Sequence, residues 1–540
     1  MYNIQKMVNE STIYRPDTEH TKSMDVTLER FFPSNGTTFT KTSASFIEIP
    51  ITVRKNGFLV PQETTVTLTW EAKPSAATPA TSHFDVFASS AGTHALFNSV
   101  SLHQGANELE CVSDWNRVHA NVKCLYEDPY QANGNGTVRD PTTAMSTKMS
   151  LTGTSFTSTY PNCRVVGKNL CLTSYEQNAT PANPPVCNKF TATISLSALD
   201  LLGSSGQKLL PLSVANDFRL RLHLEKDVYK VYHALLAANP AAAGAVVEPP
   251  MPSSSSYEIT EVSLQTKVIA YDDEMWEKMM AAVGNGGSSK ILKWNGIQMR
   301  TSNINTTYQS YVQEIVPNSQ WTNLQSAICI PYLPDLSANG DNLSQCWGNG
   351  IYQAQFSIDG VQFPQLPVGE GDSNYPASSL SQLVMSATNC VRDACKSNNG
   401  NCMITPSTYP TGTVLATGAS LLTPAGTSNC NDLVYTPPTA QPSNSQALSF
   451  PLAPTSAIAG IGSKAGKCSW FCAYGFNFTS EENGKLVQGI DTRGRQCNLN
   501  IRQSNSIPTG GAQPAVLCVQ AIAVQYELDL NVGSITVRTQ

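Results

Sequence analysis

The chain has 540 residues and a formal net charge of −6, and only 14% of its side chains are charged, against roughly a quarter in an ordinary soluble protein. Hydrophobic residues make up 41%, which excludes an intrinsically disordered chain and leaves apolar material for two or three domains. Within residues 1–30, Lys6, Arg15, Lys22 and Arg30 are outweighed by Glu10, Asp17, Glu19, Asp25 and Glu29, so no basic arm for neutralising nucleic-acid phosphates is present there.

Ser, Thr, Asn, Gln, Gly and Pro take the place of the missing charges. A polar but uncharged surface suits a protein that packs against many neighbours, because each charge buried at an interface must be desolvated and paired. It also suits secreted β proteins. The opening residues MYNIQKMVNESTIYRPDTEH hold no apolar core of the kind a secretory signal needs. No apolar run approaches the roughly 20 residues that span a bilayer, and the Ala-rich stretch 234–247 is interrupted by Pro240 and Gly244. With no signal, the 15 cysteines are expected to be mostly free thiols.

In chain order the pattern is mainly that of strands. Residues 46–53 (FIEIPITV) and 64–70 (TTVTLTW) alternate polar and apolar side chains, as a strand with one buried face does. The run 97–103 turns at Gly105 into a segment, 107–128, whose apolar residues Leu109, Val112, Trp115, Val118, Val122 and Leu125 predict a helix. A long Gly/Pro/Asn/Thr-rich stretch follows at about 129–185. Strands are then expected at 190–196 and 218–224, with the segment 206–212 between them, and 257–269 closes this half. Residues 272–283 (DDEMWEKMMAAV) predict a helix with an acidic start and a stop at Gly284.

The second half repeats the order of elements without repeating the residues. The strand 352–358 turns at Asp359-Gly360 and leads to a helix expected over 378–395. A Cys/Pro/Thr/Gly-rich stretch covers about 396–445. Strands near 469–478 and at 496–502, the intervening segment 484–492, and closing strands at 515–530 and 534–538 complete it. Structureless stretches of such length are uncommon inside compact domains and are usually functional surface loops.

Jelly rolls close an antiparallel sandwich with eight strands. Two in tandem, each with a helix and a long insertion, resemble the double jelly-roll major capsid proteins. That lineage includes adenovirus hexon, membrane-containing phages, virophages, Polinton-like elements and the large eukaryotic DNA viruses. The resemblance runs from about residue 25 to 540. It is carried by Lys208-Leu-Leu-Pro-Leu212, by 257–269 followed by Asp272-Asp-Glu-Met-Trp-Glu277, by Gln355-Phe-Ser-Ile-Asp-Gly-Val-Gln-Phe-Pro364 and by Gly489-Ile-Asp-Thr-Arg-Gly494.

The resemblance implies an all-β fold of two tandem eight-stranded jelly rolls with short helices and long loop insertions. Residues 1–28 would be an arm under the capsomer. The first jelly roll would span 29–271 with its insertion at 129–185, a linking helix 272–289, and the second 290–540 with its insertion at 396–445. The insertions would form outward towers. The expected function is a major capsid protein that trimerises into pseudo-hexagonal capsomers and tiles the icosahedral shell of a double-stranded DNA virus. Its partners would be its own copies, neighbouring capsomers, penton and minor capsid or cement proteins, with an inner membrane left open and no direct nucleic-acid contact. The protein would reside in the virion and be made in the host cytoplasm.

No enzyme activity and no cofactor are expected. The seven histidines fall in no metal-binding spacing. Cys390, Cys395, Cys402 and Cys430, at or inside the second insertion, are candidates for a metal or disulfide staple, although their spacing matches no familiar zinc ribbon. The run from Gly460 to Cys468 departs from a phosphate-binding loop in having five residues between the glycines and Cys after the Lys. The pair Asp272-Asp273 reads as helix capping. Two other functions fit parts of the pattern. One is a secreted or surface β-sandwich that binds carbohydrate or mediates adhesion. The other is a single jelly-roll RNA-virus coat protein with a protruding domain, which predicts one sandwich beside an unrelated second domain.

Overall fold

The computed structural model describes residues 24–73, 82–88, 92–121, 149–152, 155–158, 171–177, 189–196, 198–204, 209–215, 217–237, 255–284, 291–306, 311–332, 351–368, 423–424, 433–434, 474–479, 481–482, 485–486, 489–503 and 515–539. Sixteen strands carry the architecture. In the first half they are β1 (Met24–Phe31), β2 (Phe46–Ile51), β3 (Gly57–Lys73), β4 (Phe97–Gln104), β5 (Asn107–Val112), β6 (Lys189–Ser195), β7 (Phe218–Leu224) and β8 (Ser256–Tyr271). In the second half they are β9 (Ile291–Asn305), β10 (Tyr311–Ile315), β11 (Leu324–Tyr332), β12 (Ile351–Ile358), β13 (Val361–Val368), β14 (Tyr474–Asn477), β15 (Cys497–Gln503) and β16 (Ala515–Asp529).

The first half forms two sheets, ordered β1-β8-β3-β6 and β2-β7-β4-β5. The second forms β9-β16-β11-β14 and β10-β15-β12-β13. Adding eight to every strand number of the first half gives the second half. Two four-stranded antiparallel sheets in this interleaved order make an eight-stranded jelly roll, so the fold is all-β and consists of two tandem jelly rolls. An unrelated second domain is therefore ruled out. Thr38–Thr40 adds to β8 in the first roll and Ser534–Thr539 to β16 in the second.

Local sequence explains the strands. In β7, FRLRLHL buries every second residue, Phe218, Leu220, Leu222 and Leu224, against the sandwich core. In β2, FIEIPI buries Ile47, Ile49 and Ile51 in the same rhythm. The hairpin turns also follow chemistry. Gly105 takes φ +59°, and Asp359 and Gly360 take φ +49° and +82°, the left-handed pair that a tight two-residue hairpin requires.

Leu210 and Ile490, one from each of the segments 206–212 and 484–492 matched between halves by their order alone, make equivalent bridges. Leu210 exchanges two backbone hydrogen bonds with Leu59 at the start of β3 (2.8 and 3.0 Å), and Ile490 does the same with Leu324 at the start of β11 (both 2.9 Å).

The helix expected over 107–128 is corrected. Gly105 folds the chain back so that 107–112 pair with β4 as β5. Among the described residues the helix, α1, is confined to Trp115–Asn121. The near-helical spacing of Leu109, Val112, Trp115 and Val118 comes from a strand followed by a helix, both facing one core. The helix expected at 272–283 is α2 (Asp273–Gly284). Asp272 caps it, its Oδ1 accepting the Met275 N–H at 2.8 Å. Trp276 packs its ring on Phe58 and so seats α2 against the first roll. β1 starts at Met24, inside the span assigned to the arm. The helix expected over 378–395 lies outside the described residues. Of the insertion expected at 129–185, the hairpin Met149–Thr152/Ser155–Ser158 and the strand Cys171–Gln177 are described. That strand joins Ser82–Ala88 and Tyr232–Ala237 in a separate three-stranded sheet.

Candidate assembly surface

The best-defined surface joins the two rolls within one chain. It presents β5, its following turn and α1 of the first roll to β9 and the end of β16 in the second. Gln298 Nε2 donates to the Leu109 carbonyl at 3.1 Å, and Arg300 Nη1 lies 3.5 Å from that of Cys111. Thr301 Oγ1 donates to the Ser113 carbonyl at 3.1 Å, and Asn303 Nδ2 to Asp114 Oδ2 at 3.0 Å. The Arg117 guanidinium of α1 stacks 4.0 Å over the Tyr332 ring. The Tyr332 hydroxyl in turn donates to Asn303 Oδ1 at 3.0 Å. Gln104, at the end of β4, spans the seam with both ends of its amide: Nε2 donates to the Gly533 carbonyl and Oε1 accepts the Ile535 N–H at 2.6 Å.

At the centre of this seam lie two buried carboxyl groups. Glu110 of β5 accepts the backbone N–H groups of Asp200 (2.6 Å) and Leu201 (3.2 Å). Asp200 packs against the Cα of Gly296 in β9. A Cβ there would collide with the Asp200 carboxyl and approach the Tyr526 ring at 2.7 Å, so only glycine admits this contact. Tyr526 donates toward Asp200 and its hydroxyl accepts from Gln298 Nε2 at 3.0 Å. Burial, and then the neighbouring Asp200 charge, push Glu110 up to about 8. Tyr526 is raised well above its ordinary value by burial first and by the two carboxyls second. Two like charges held together out of water disfavour one another, so burial and Asp200 both push Glu110 toward its protonated form.

Outside the seam, large apolar side chains stay exposed on particular strands. Val26 (45%) and Leu28 (64%) line β1, with Phe32 just beyond it. Tyr311 and Ile315 (61%) line β10, and Val361 (57%) opens β13. These are edge strands of two sheets, β1 of one and β10 and β13 at the two edges of another. Apolar residues gathered on sheet edges mark contact surfaces more readily than scattered ones do.

Cys390, Cys395, Cys402 and Cys430 lie outside the described residues, as does the run from Gly460 to Cys468. Cys111, Cys329, Cys497 and Cys518 are free thiols. Among the described residues no group of three or more His, Cys, Asp or Glu could hold a metal ion, and no helix is long and apolar enough to cross a membrane. Sequence reasoning missed Glu110 and Asp200. The available signal was the alternation Glu108-Leu109-Glu110-Cys111-Val112, as of a strand, hidden by reading that stretch as a helix.

No protein-family model and no curated protein matches the sequence. Solved structures do. The chain aligns with one from the 3.5 Å cryo-EM structure of the Sputnik virophage at 10% identity and a TM-score of 0.49, over 98% of this chain and 93% of the other. It aligns with a chain of the PBCV-1 virus capsid at 9% identity and a TM-score of 0.45, over 97% and 98%. It aligns with the Faustovirus major capsid protein at 11% identity and a TM-score of 0.45, over 96% and 92%. Each of these alignments spans nearly the full length of this chain.

Proposed function

We propose that this protein is a major capsid protein that assembles as a homotrimer, forms pseudo-hexagonal capsomers and tiles an icosahedral shell of a double-stranded DNA virus. The observation that carries the reading is the identical eight-strand order met twice in one chain. Duplication gives each subunit two near-equivalent blocks, so three subunits supply six, and a six-sided tile packs a lattice without gaps. The role is structural and calls on no catalytic group or cofactor. The partners under this reading are further copies of the chain, neighbouring capsomers, penton and minor capsid or cement proteins, and any membrane inside the shell. The site of action is the virion, after synthesis in the host cytoplasm.

The test is a native mass measurement of the purified full chain with negative-stain imaging. The expected result is a trimer of hexagonal outline. A stable monomer under assembly-permissive conditions would overturn the reading.

A further inference from the structure

Three cysteines cluster in the core of the second roll. Cys329 of β11, Cys518 of β16 and Cys497 at the start of β15 are all buried, and Cys518 is the common neighbour of the other two. Cys329 and Cys518 stand directly opposite one another in the antiparallel pair β11-β16. Cys497 belongs to the facing sheet, and its Sγ donates to the Ser319 carbonyl at 3.8 Å.

The hydrogen-bond phase of the strands fixes how close the opposed pair comes. The Phe478 N–H donates to the Gln325 carbonyl, so the backbone of Gln325 faces β14. Peptide groups alternate in direction along a strand, so Cys329, four residues on, also turns its N–H and carbonyl to β14, where it pairs with Tyr474. The Ala523 N–H donates to the Asn323 carbonyl. Cys518, five residues from Ala523, therefore turns its backbone the other way, to β9, where it pairs with Ser302. Neither cysteine gives a backbone hydrogen bond to the other. They form a non-hydrogen-bonded pair, the narrow kind, with Cα atoms about 4.5 Å apart and both side chains on one face. A disulfide needs Cα atoms roughly 4.4–6.8 Å apart. Facing sheets stand about 10 Å apart, which puts Cys497 out of reach of the same bond.

We infer that Cys329 and Cys518 are a latent disulfide, a reversible staple between two adjacent strands of the second roll's core, closed by a small peroxide. One sulfur, as thiolate, attacks a peroxide oxygen. An S–O bond forms, the O–O bond breaks, and the leaving hydroxide takes up the proton that the thiol released. The other thiol then attacks the sulfenic sulfur, so that the S–S bond forms, the S–O bond breaks and a second water leaves. Two thiols are oxidised and one peroxide is reduced to two waters. Burial first, and the Cys518 thiol second, hold Cys329 well above the ordinary thiol range, so the attacking thiolate is scarce while the sheet is closed. Local opening of β14, the short edge strand paired with Cys329, gates the reaction. The closed bond encloses everything from β12 to β15, and a cross-link over so long a loop strongly restricts the unfolded chain. The staple does not depend on what the chain assembles into.

The test treats the purified full-length chain with excess hydrogen peroxide until its accessible thiols no longer react. The remaining thiols are alkylated in denaturant, and the peptides are mapped by mass spectrometry. The expected product is a peptide pair joined through Cys329 and Cys518, lighter by two hydrogens than the separate peptides and parted again by a dithiol reductant. Oxidation should raise the melting temperature by about 5 °C or more. Cys329→Ala and Cys518→Ala, given the same treatment, should show no rise, and Cys497→Ala should keep both the link and the rise. Should an alanine variant fail to fold, the peptide map of the wild type still decides. Recovery of Cys329 and Cys518 as alkylated thiols or as sulfinic or sulfonic acids, or a link from Cys518 to Cys497 in place of Cys329, would overturn the assignment.

Discussion

The edge strands β2 and β10 occupy the same place in the same strand order, and the chain finishes them in opposite ways. Along β2, the Ser34 N–H donates to the Glu48 carbonyl at 2.9 Å and Asn35 Nδ2 to the Phe46 carbonyl at 2.8 Å. Asn35 Oδ1 accepts the Glu48 N–H at 3.0 Å. The Glu48 side chain is held by Arg219 (3.2 Å) and Arg221 (2.7 Å). The free side of β2 is thereby clamped and charged, two of the devices that keep an edge from pairing with another chain. Among the described residues no side chain clamps β10 in this way, and it shows Tyr311 and Ile315 to solvent. The central strands differ too. β8 keeps alternate residues partly exposed, whereas β16 is buried at nearly every position. A duplicated fold thus gives two copies of a framework, and the faces of each copy are set by what each one meets.

The largest expected effect asks whether the two rolls, so different at their surfaces, still melt as one. Trp70 is buried in the first roll and Phe356 in the second. Truncating either to Ala should cost about 3–5 kcal/mol. If the polar seam couples the rolls, calorimetry of Trp70→Ala and of Phe356→Ala shows the same single transition moved down in both. Two resolved transitions, with only one displaced by each substitution, would show that the seam merely links independent units.

The next effect probes the seam by pH. Glu110 titrates in the folded chain at about 8 because burial and Asp200 disfavour its charge, against an ordinary value near 4.5. The folded state therefore holds a proton that the unfolded chain releases between these values. The stabilising contribution is complete below about pH 4.5 and is lost as pH rises to about 8, with a limiting slope of about 1.4 kcal/mol per pH unit. His103 and His223 act in the opposite sense, because burial lowers both, so the informative quantity is the difference between variants. Glu110→Gln carries no charge and keeps one acceptor oxygen, enough for one of the Asp200 and Leu201 N–H groups, which Glu110 holds on separate oxygens. Its melting temperature should gain on the wild type steadily from pH 5 to 8. Parallel curves for the two proteins would mean that Glu110 does not hold the proton.

The framework was largely legible from residue order, and the seam was not, for a physical reason. Alternation in Phe218–Leu224 and the mostly apolar run at Ala515–Asp529 report burial directly, so those strands were found with their limits nearly right. The turn residues Gly105 and Asp359-Gly360 carry their backbone requirement in their identity. Residues 107–112 misled because a strand running into a helix mimics helical spacing when both pack on one core. Glu110, Asp200 and Gly296 lie far apart in the chain and become a site only when the first roll meets the second. No local pattern encodes that meeting. Asn35 was invisible for the same reason: an Asn in a Gly/Ser-rich stretch reads as a turn, and only the fold brings its amide to the backbone of β2.

That residue gives the smallest of the expected effects and the most direct break in the comparison between the two edges. Asn35→Ala removes two side-chain hydrogen bonds to β2, to the Phe46 carbonyl and the Glu48 N–H. Each is worth about 0.5–1.5 kcal/mol net, and both groups lie at an exposed edge where water can replace the lost partner, so a destabilisation of about 1 kcal/mol is expected by denaturant titration. The larger consequence should be in association. With its clamp gone, β2 offers the same kind of open edge as β10, and light scattering at rising concentration should show aggregates that the wild type does not form. If Asn35→Ala stays as monodisperse as the wild type, the clamp is not what keeps this edge from pairing, and that protection falls to the Glu48, Arg219 and Arg221 charges alone.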